Sequence, residues 1–199
     1  YAAGVVRVRQ TDAAGNVGNV TQNAQAWTVD TTGPTISTVA ITSATGRQNS
    51  TLNEGDVVTT KVTFGDVVSV TGTPTLKLTI GNTPVVANYA SGSGTNALNF
   101  TYTVLAGQTD TDGISIGANA LGLGGGTIKD VAGNTATITH TAVANNAGYK
   151  VDTTAPTLVS STPADDAIGV LTSNNLTFTF NENIAKGTGS VVVKNMSDQ

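Results

Sequence analysis

Polar and apolar residues alternate along several stretches in the middle of the chain. VVTTKVTF at 57–64, TLKLTI at 75–80 and ALNFTYTV at 97–104 place apolar or threonine side chains on every second position, and PVVANYA follows a Gly81–Asn82 turn signal. A period of two is typical of a strand that buries one face, and no window has the 3.6-residue period of an amphipathic helix. The pattern therefore predicts a β protein.

The strand pattern continues toward the C-terminus. We expect strands at GISIGANAL (113–121) and GTIKD (126–130), a last long strand at TATITHTAV (135–143), and a return at GYKV (148–151). Short strands separated by turn signals predict an antiparallel Ig-like β-sandwich over residues 36–150, with almost no helix. Its predicted core includes Val62, Phe64, Leu78, Leu98, Phe100, Tyr102 and Ile138.

Shorter patterns flank this central region. Val6 and Val8 alternate with arginines, and NAQAWTV (23–29) has the composition of a strand. On the other side, NLTFTF (175–180) puts Leu176, Phe178 and Phe180 on one face, and GSVVVKN (189–195) is a further predicted strand.

Two phrases recur in the same order. VDTTGPT at 29–35 and VDTTAPT at 151–157 each follow a D-x-A-G-N motif, at 12–16 and 130–134. A period of about 120 residues is too long for a solenoid repeat and fits one β-sandwich domain, so the phrase is a predicted junction. Its proline stiffens the chain, and no Gly/Ser run loosens it. We expect tandem sandwiches in an extended array within a longer protein: the C-terminal part of a domain at 1–30, a complete domain at 31–152, and the N-terminal part of a third at 153–199.

Composition excludes several classes of function. Charged residues make up 11% of the chain and aromatic residues 5%, the net charge is −4, and there is no cysteine. Because no basic patch is interleaved with aromatic residues, we expect no nucleic-acid partner. No apolar run reaches transmembrane length, so we expect no membrane insertion in this segment. The absence of cysteine excludes thiol catalysis, cysteine-ligated zinc and disulfides, which leaves core size, partners or metal to stabilise the fold.

The motifs carry a family resemblance. GDVVTTKVTF, YASGSGTNALNFTYTVLAGQ, GGTIKDVAGNTAT and NAGYKVDTTAPT resemble, in that order, the bacterial Ig-like repeats of giant secreted surface adhesins of the RTX, type I secreted kind. LVSSTPADDAIGV and the residues after it are similar to the start of a second bacterial Ig-like type, found in surface-layer proteins. One departure is Gly65–Asp66, where many relatives carry Ser-Glu. The resemblance implies an extended, export-competent rod whose junctions are stiffened by calcium ions.

Oxygen donors at the junctions are compatible with that calcium. Ca²⁺ takes six to eight oxygen ligands, and each D-x-A-G-N motif offers a carboxylate, an amide and backbone carbonyls. We expect Asp12 to meet Asp30, and Asp130 to meet Asp152, because the turn and the chain exit share a pole of an Ig-like sandwich. The next domain would add Glu54 or Asp56 at the first junction, and Asp165, Asp166 or Glu182 at the second. The predicted metal ligands are Asp12, Asn16, Asp30, Glu54, Asp56, Asp130, Asn134, Asp152 and Asp165.

A simpler interpretation of each motif stays open. An aspartate at the start of a tight turn commonly caps its own backbone, and Gly-Asn supplies the positive φ that the turn needs. DTDG at 110–113 resembles the start of an EF-hand loop, but position twelve would be Leu121, so we expect a surface turn. His140, the sole histidine, is expected to be a structural residue at the end of the sandwich rather than a general base.

These expectations predict a non-enzymatic structural or extender segment of a bacterial cell-surface adhesin or extracellular fibre, secreted or on the cell surface. Its expected partners are neighbouring Ig-like domains of the same chain. Identical subunits in a fibre are a further expectation, because strand edges of partial domains invite pairing. The alternatives are a ligand-binding module for carbohydrate, ice or a receptor, and the stalk of a secreted enzyme.

Overall fold

A computed structural model of the chain describes residues 7–19, 21–22 and 28–188. These residues form strands and no helix, which confirms the predicted all-β, Ig-like fold class. The predicted strand at 189–195 and most of the one at 23–29 lie outside the described residues. The chain divides into two compact units, Tyr1–Thr153 and Thr154–Gln199. The domain boundaries at residues 30 and 152 stay predictions.

Twelve of the described strands lie in the first unit. The short strands β1 (Arg7–Val8) and β2 (Thr21–Gln22) pair antiparallel with each other. The others are β3 (Ile36–Ala44), β4 (Thr51–Leu52), β5 (Val57–Thr71), β6 (Thr75–Ile80), β7 (Thr83–Ser91), β8 (Thr95–Thr103), β9 (Thr109–Asp110), β10 (Leu121–Gly122), β11 (Thr127–Lys129) and β12 (Lys150–Asp152).

Two further sheets enclose the core of the first unit. The larger has the order β10-β6-β7-β8-β5-β11, and β3 also pairs with β5. The smaller has the order β4-β12-β9. Every pair in the larger sheet is antiparallel, whereas β12 runs parallel to β4 in the smaller one. The predicted antiparallel sandwich therefore contains one parallel pair.

Alternation along β5 and β8 builds that core. Val58, Thr60, Val62 and Phe64 are buried, as predicted, and the first three pair with Tyr102, Phe100 and Leu98 of the neighbouring β8. The hydroxyl of Thr60 donates to the backbone oxygen of Phe100 at 3.3 Å, so this buried polar group is satisfied. Of the seven predicted core residues, Val62, Phe64, Leu78, Leu98 and Phe100 are fully buried, and Tyr102 and Ile138 are half-buried at the margin.

The predicted long strand at 135–143 is wrong. This segment forms isolated bridges instead, between Thr135 and Lys129, Thr137 and Thr35, and Val143 and Ile116. Each bridge joins the segment to a different neighbour, and the Thr137 bridge is parallel. Because no single partner runs alongside the segment, a continuous ladder does not form.

An irregularity in β5 matters for the site described below. The register between β5 and β8 shifts between Thr63 and Val68. Gly65, Asp66 and Val67 are exposed within this interval, whereas Phe64 and Val68 on either side are buried. A bulge of this kind takes side chains out of the ladder and redirects them, here at one end of the sandwich.

Asp110 ties two loops together at the other end. Its side chain is 3% exposed and accepts hydrogen bonds from the backbone N–H groups of Gly81 at 2.8 Å, Gly113 at 2.7 Å and Asp112 at 3.3 Å. The DTDG turn is thus present, but its first carboxylate is buried. It joins the β6–β7 turn to the β9 loop.

The second unit contains β13 (Leu158–Thr162) and β14 (Thr177–Phe180), which pair antiparallel across a register shift. Leu176 is 45% exposed and Phe178 is 39% exposed, whereas Phe180 is half-buried. The predicted apolar face of NLTFTF is therefore only partly covered by the described residues. No helix in the described part of the chain is long and apolar enough to cross a membrane.

Truncating a leucine in the core should cost far more than truncating one on the surface. Leu98→Ala removes a fully buried side chain, and we expect a loss of about 2–5 kcal/mol in the free energy of unfolding. Leu105, which is 58% exposed, is the matched control, and Leu105→Ala should cost less than about 0.5 kcal/mol. Urea unfolding of both variants measures the difference. Equal losses would contradict the assigned core.

The three hydrogen bonds that the Asp110 carboxylate accepts predict a second effect on stability. Asp110→Asn replaces one acceptor oxygen with an amide that cannot accept the backbone N–H groups, and we expect a loss of about 1–3 kcal/mol in unfolding free energy. Asp112→Asn is the control, because the exposed Asp112 carboxylate accepts from the Asn145 amide and an asparagine keeps an acceptor oxygen. If Asp110→Asn were as stable as the control, the three hydrogen bonds would not support the fold.

Candidate functional site

The D-x-A-G-N motif at 130–134 closes on itself as a tight turn. The backbone N–H of Asn134 donates to one carboxylate oxygen of Asp130 at 2.8 Å, and its side-chain amide donates to the other at 2.8 Å. The backbone N–H of Asp130 donates to the Asn134 oxygen at 3.1 Å. Gly133 has φ of 95°, a left-handed conformation that glycine adopts without strain.

The motif at 12–16 repeats this geometry. Asn16 donates to the two Asp12 carboxylate oxygens at 2.8 Å from its backbone and at 2.9 Å from its side chain, and Gly15 has φ of 84°. The predicted turn, in which the aspartate caps its own backbone, is therefore present in both copies.

These hydrogen bonds hold both aspartates in the ionised form. The side-chain and backbone hydrogen bonds from Asn16, and further bonds from Ala14 and Gly15, outweigh desolvation and lower the pKa of Asp12. For Asp130, desolvation by burial is the largest effect and raises the pKa, but the combined hydrogen bonds from Asn134 and the adjoining backbone give a net lowering. Each turn therefore presents a negative charge.

The middle turn also holds the incoming linker. The side-chain amide of Asn134 donates to the backbone oxygens of Asp30 at 3.2 Å and Thr32 at 3.5 Å. The Asp30 carboxylate in turn accepts from the Thr32 N–H at 3.0 Å. One asparagine thus connects its own turn aspartate with the linker that precedes the domain.

Three aspartates are among the residues that line one depression at this end of the sandwich. Asp30, Asp66 and Asp130 surround a volume of about 360 Å³, together with Thr28, Val67, Val131 and Ala132. Asp66 reaches it from the bulge of β5, Asp130 from the turn after β11, and Asp30 from the linker. We call this end, defined by Asp30, Asp66 and Asp130, the entering pole.

The structure contradicts the predicted pairing of Asp130 with Asp152. Asp130 lies with Asp30 and not with Asp152. β11 pairs with Ser69–Thr71 at the far end of β5, whereas β12, which contains Asp152, pairs with β4 and β9 beyond its beginning. The pairing of Asp12 with Asp30 stays a prediction. The turn at 130–134 faces the linker before its own domain, because it lies opposite the chain exit.

Glu54 and Asp56 were predicted at the first junction, and their positions also differ from that prediction. Both precede β5, and Leu52 pairs with Val151 in the parallel β4–β12 ladder. They therefore lie at the end from which Asp152 leaves, opposite the entering pole. Asp56 accepts from the Asn53 N–H at 2.8 Å. Asp165 is an exposed residue of the second unit, and its role as a ligand stays a prediction, as do the roles of the other proposed ligands.

Asp66 was missing from the predicted ligands, although a short motif marks it. Thr63-Phe64-Gly65-Asp66 matches Thr179-Phe180-Asn181-Glu182 in the second unit. The structural positions match as well, since Gly65 N–H donates to the Thr35 oxygen at 2.9 Å and Asn181 N–H donates to the Thr157 oxygen at 3.1 Å. The Oε1 atom of Glu182 is buried without a hydrogen-bond partner.

The donor chemistry of the entering pole is that of a hard cation. Carboxylates and carbonyl oxygens are the ligands that calcium prefers, and the fixed turn presents both. No three His, Asp or Glu side chains within the described ranges are close enough to hold a metal by themselves. An ion at this pole would therefore need backbone oxygens and water beside the carboxylates.

His140 uses both of its ring nitrogens in structural hydrogen bonds. Its Nε2 accepts from the Ala120 N–H at 2.9 Å, and its Nδ1 lies 2.7 Å from the Thr141 oxygen, to which it donates in the tautomer that these contacts require. These contacts favour the predicted structural role.

A family model for a bacterial Ig-like domain matches residues 152–199. This supports a bacterial Ig-like domain in that part of the chain, and such domains typically occur in extracellular or surface proteins. Comparisons with curated proteins and with solved structures found no match.

Removing the Asn134 side chain should raise the pKa of Asp130. Asn134→Ala deletes the amide that donates to the carboxylate, so we expect the pKa to move up from its lowered value. Stability linked to a depressed carboxyl pKa is complete above the unfolded pKa, about 3.9, and is lost as the pH falls through the folded pKa. The variant should therefore lose less stability than the wild type as the pH falls through this acid range. Side-chain carboxyl NMR titration measures the pKa.

Each turn serves as the experimental control for the other. Asn16→Ala should raise the pKa of Asp12 and leave that of Asp130 unchanged. If the pKa of Asp130 did not change in Asn134→Ala, Asn134 would not be the cause of its lowered pKa.

Proposed function

We propose that this chain is a non-enzymatic structural extender segment of a bacterial cell-surface adhesin or extracellular fibre, with junctions rigidified by calcium. The observation that carries the proposal is the entering pole. There a stiff linker, the Asn134 side chain that bonds to it, and three aspartates that line one depression lie at the point where one domain would follow another. The partners are neighbouring Ig-like domains of the same chain, and a fibre of identical subunits is a further possibility that this proposal includes.

The architecture supports a mechanical role. The central domain buries one face of each long strand, and the linker enters and leaves it at opposite ends of β5. When the chain enters and leaves a domain at opposite ends, the domain adds its long dimension to the length of the chain. The bacterial Ig-like family match at 152–199 supports a surface or extracellular structural module, since that is where such domains typically occur.

Asp30, Asp66 and Asp130 would hold calcium at the entering pole, with nearby backbone oxygens and water completing the shell. Three aspartates line one depression, and a divalent cation bound there would offset their like charges. The low pKa of Asp130 supports this assignment, because a carboxylate must be deprotonated to bind the metal.

Glu182 supports an equivalent site in the second unit. A buried carboxylate oxygen without a hydrogen bond is costly, and a cation is one way to satisfy it. Glu182 takes the position of Asp66, so the acid after Thr-Phe-x is the shared ligand of the two sites. The side chain of Glu182 is one methylene longer than that of Asp66, which changes how far its carboxylate extends but not the kind of ligand that it offers.

Calcium in this position would act on the junction and on stability together. A bound ion that joins the linker to the domain restricts bending between strung domains, which small interfaces otherwise allow. Extracellular calcium sites have Kd values of about 10⁻⁴–10⁻³ M, so the sites would fill outside the cell and stay empty in low-calcium cytoplasm.

Calcium should stabilise the chain through Asp66. At a hundredfold excess over Kd the gain is about 2.7 kcal/mol for each site, measured as a rise in melting temperature against a chelator control. In an NMR titration, the amide signals of Asp66 and Val131 should shift with calcium in the wild type. Asp66→Asn should weaken that response at least tenfold in apparent Kd.

Glu54→Gln is the matched control, because Glu54 lies at the opposite end of β5. It should leave the response of Asp66 and Val131 unchanged. Small-angle scattering with calcium and with chelator measures stiffening. Equal melting temperatures and equal maximum dimensions in the two conditions would exclude the calcium mechanism.

A further inference from the structure

The second half of the first junction phrase is bound into the domain that it enters. The N–H of Gly65 donates to the oxygen of Thr35 at 2.9 Å, and the N–H of Thr137 donates to the oxygen of Pro34 at 2.8 Å. Together with the Asn134 bonds to Asp30 and Thr32, four carbonyl oxygens of the linker accept hydrogen bonds from the domain. These bonds involve protein atoms alone.

The first half of the second copy is bound into the domain that it leaves. Val151 pairs with Leu52 on one side and with Asp110 on the other, and Asp152 pairs with Thr109. One residue further on, the hydroxyl of Thr153 donates to the backbone oxygen of Gln108 at 2.9 Å.

Gln108 is itself held in place. Its side-chain oxygen accepts from the Leu105 N–H at 2.8 Å, and its amide contacts the Tyr102 hydroxyl at 2.8 Å. The leaving half of the linker is therefore attached to a fixed point of the sandwich.

The second unit repeats the entering contact. The N–H of Asn181 donates to the oxygen of Thr157 at 3.1 Å, and the N–H of Thr157 donates to the side-chain oxygen of Asn181 at 2.6 Å. Thr157 is the counterpart of Thr35, so the last threonine of both phrases is docked in the same way.

From these contacts we infer that V-D-T-T-x-P-T is a divided docking segment, whose first three residues dock on the domain that it leaves and whose later residues dock on the domain that it enters, by protein hydrogen bonds without calcium. We call this docked segment the splice. In the second copy the first three residues dock on the preceding domain, and Asp152 pairs there with Thr109. In the first copy the second, fourth, sixth and seventh residues dock on the following domain, and the carbonyl oxygen of Asp30 accepts from Asn134.

The fifth position of the phrase is fixed by contact rather than by a hydrogen bond. A Cβ built on Gly33 would lie 2.1 Å from the backbone oxygen of Thr135, so the linker at this point lies directly against the domain.

The splice is independent of the proposed calcium sites, and hydrogen exchange tests it separately. The amides of Gly65, Thr137 and Asn181 donate to linker carbonyls, and that of Lys150 donates to the Ser50 oxygen at 2.9 Å. In the whole chain with excess chelator, these four amides should stay protected to within about tenfold of their calcium-loaded exchange rates. Ile116 and Val143, which bond each other inside the domain, are the reference amides.

A rise of more than about tenfold at Gly65 and Thr137, with Ile116 and Val143 unchanged, would overturn the splice. It would mean that the linker undocks when calcium is removed. The melting-temperature shift with calcium tests the proposed function, so the failure of one idea is distinguishable from the failure of the other.

Gly33→Ala provides a direct perturbation of the entering half. The added methyl forces the linker away from Thr135, and exchange at Gly65 and Thr137 should accelerate by about tenfold or more. Gly117→Ala is the matched control, because a Cβ at Gly117 meets no atom within 4 Å. Unchanged exchange in Gly33→Ala would show that linker docking does not protect these amides, and the inference would fall.

Discussion

The pairing of β5 sets the position of everything else in the central domain. This strand of 15 residues pairs with β3 and β8 along its first part and with β11 at its end. Because its inner face is buried, a slip of one residue would expose Val58, Val62 and Phe64, so the register is strongly fixed. The length of β5 then separates the two ends of the sandwich. The residues at one end cannot serve a junction at the other.

That separation explains which parts of the site were predictable from sequence. Alternation in β5, β6 and β8 depends only on burial of one face, which is a local signal. The D-x-A-G-N turns are local as well, since each aspartate bonds to an asparagine four residues later. The partner of the turn at 130–134 depends instead on the end of the sandwich at which β11 finishes. Nothing local to residues 129–134 encodes that position.

The same distinction accounts for the other differences. The segment 135–143 has the alternation of a strand but is divided among three partners, and alternation does not specify a partner. Asp66 sits in a bulge whose existence follows from the pairing of β5 with β8 and β11 rather than from its own sequence. Asp110 belongs to a loop of turn-forming residues, yet its carboxylate is buried because the β6–β7 turn lies over it.

At the entering pole, carbonyl and carboxylate oxygens have different tasks. The linker carbonyls of Asp30, Thr32, Pro34 and Thr35 accept hydrogen bonds from the domain and fix the path of the chain. The side chains of Asp30, Asp66 and Asp130 line the depression, where the proposed cation would bind. Docking uses backbone oxygens of the linker, whereas the proposed metal site uses side-chain oxygens.

This division makes each junction specific to the domain that follows it. Gly33 fits because the oxygen of Thr135 lies where a Cβ would be, but the second phrase carries alanine at the same position, Ala155. The central domain thus cannot accept the second phrase at its entering pole without a shift of its backbone. In the proposed array, a linker and the domain after it would therefore have to match as a pair.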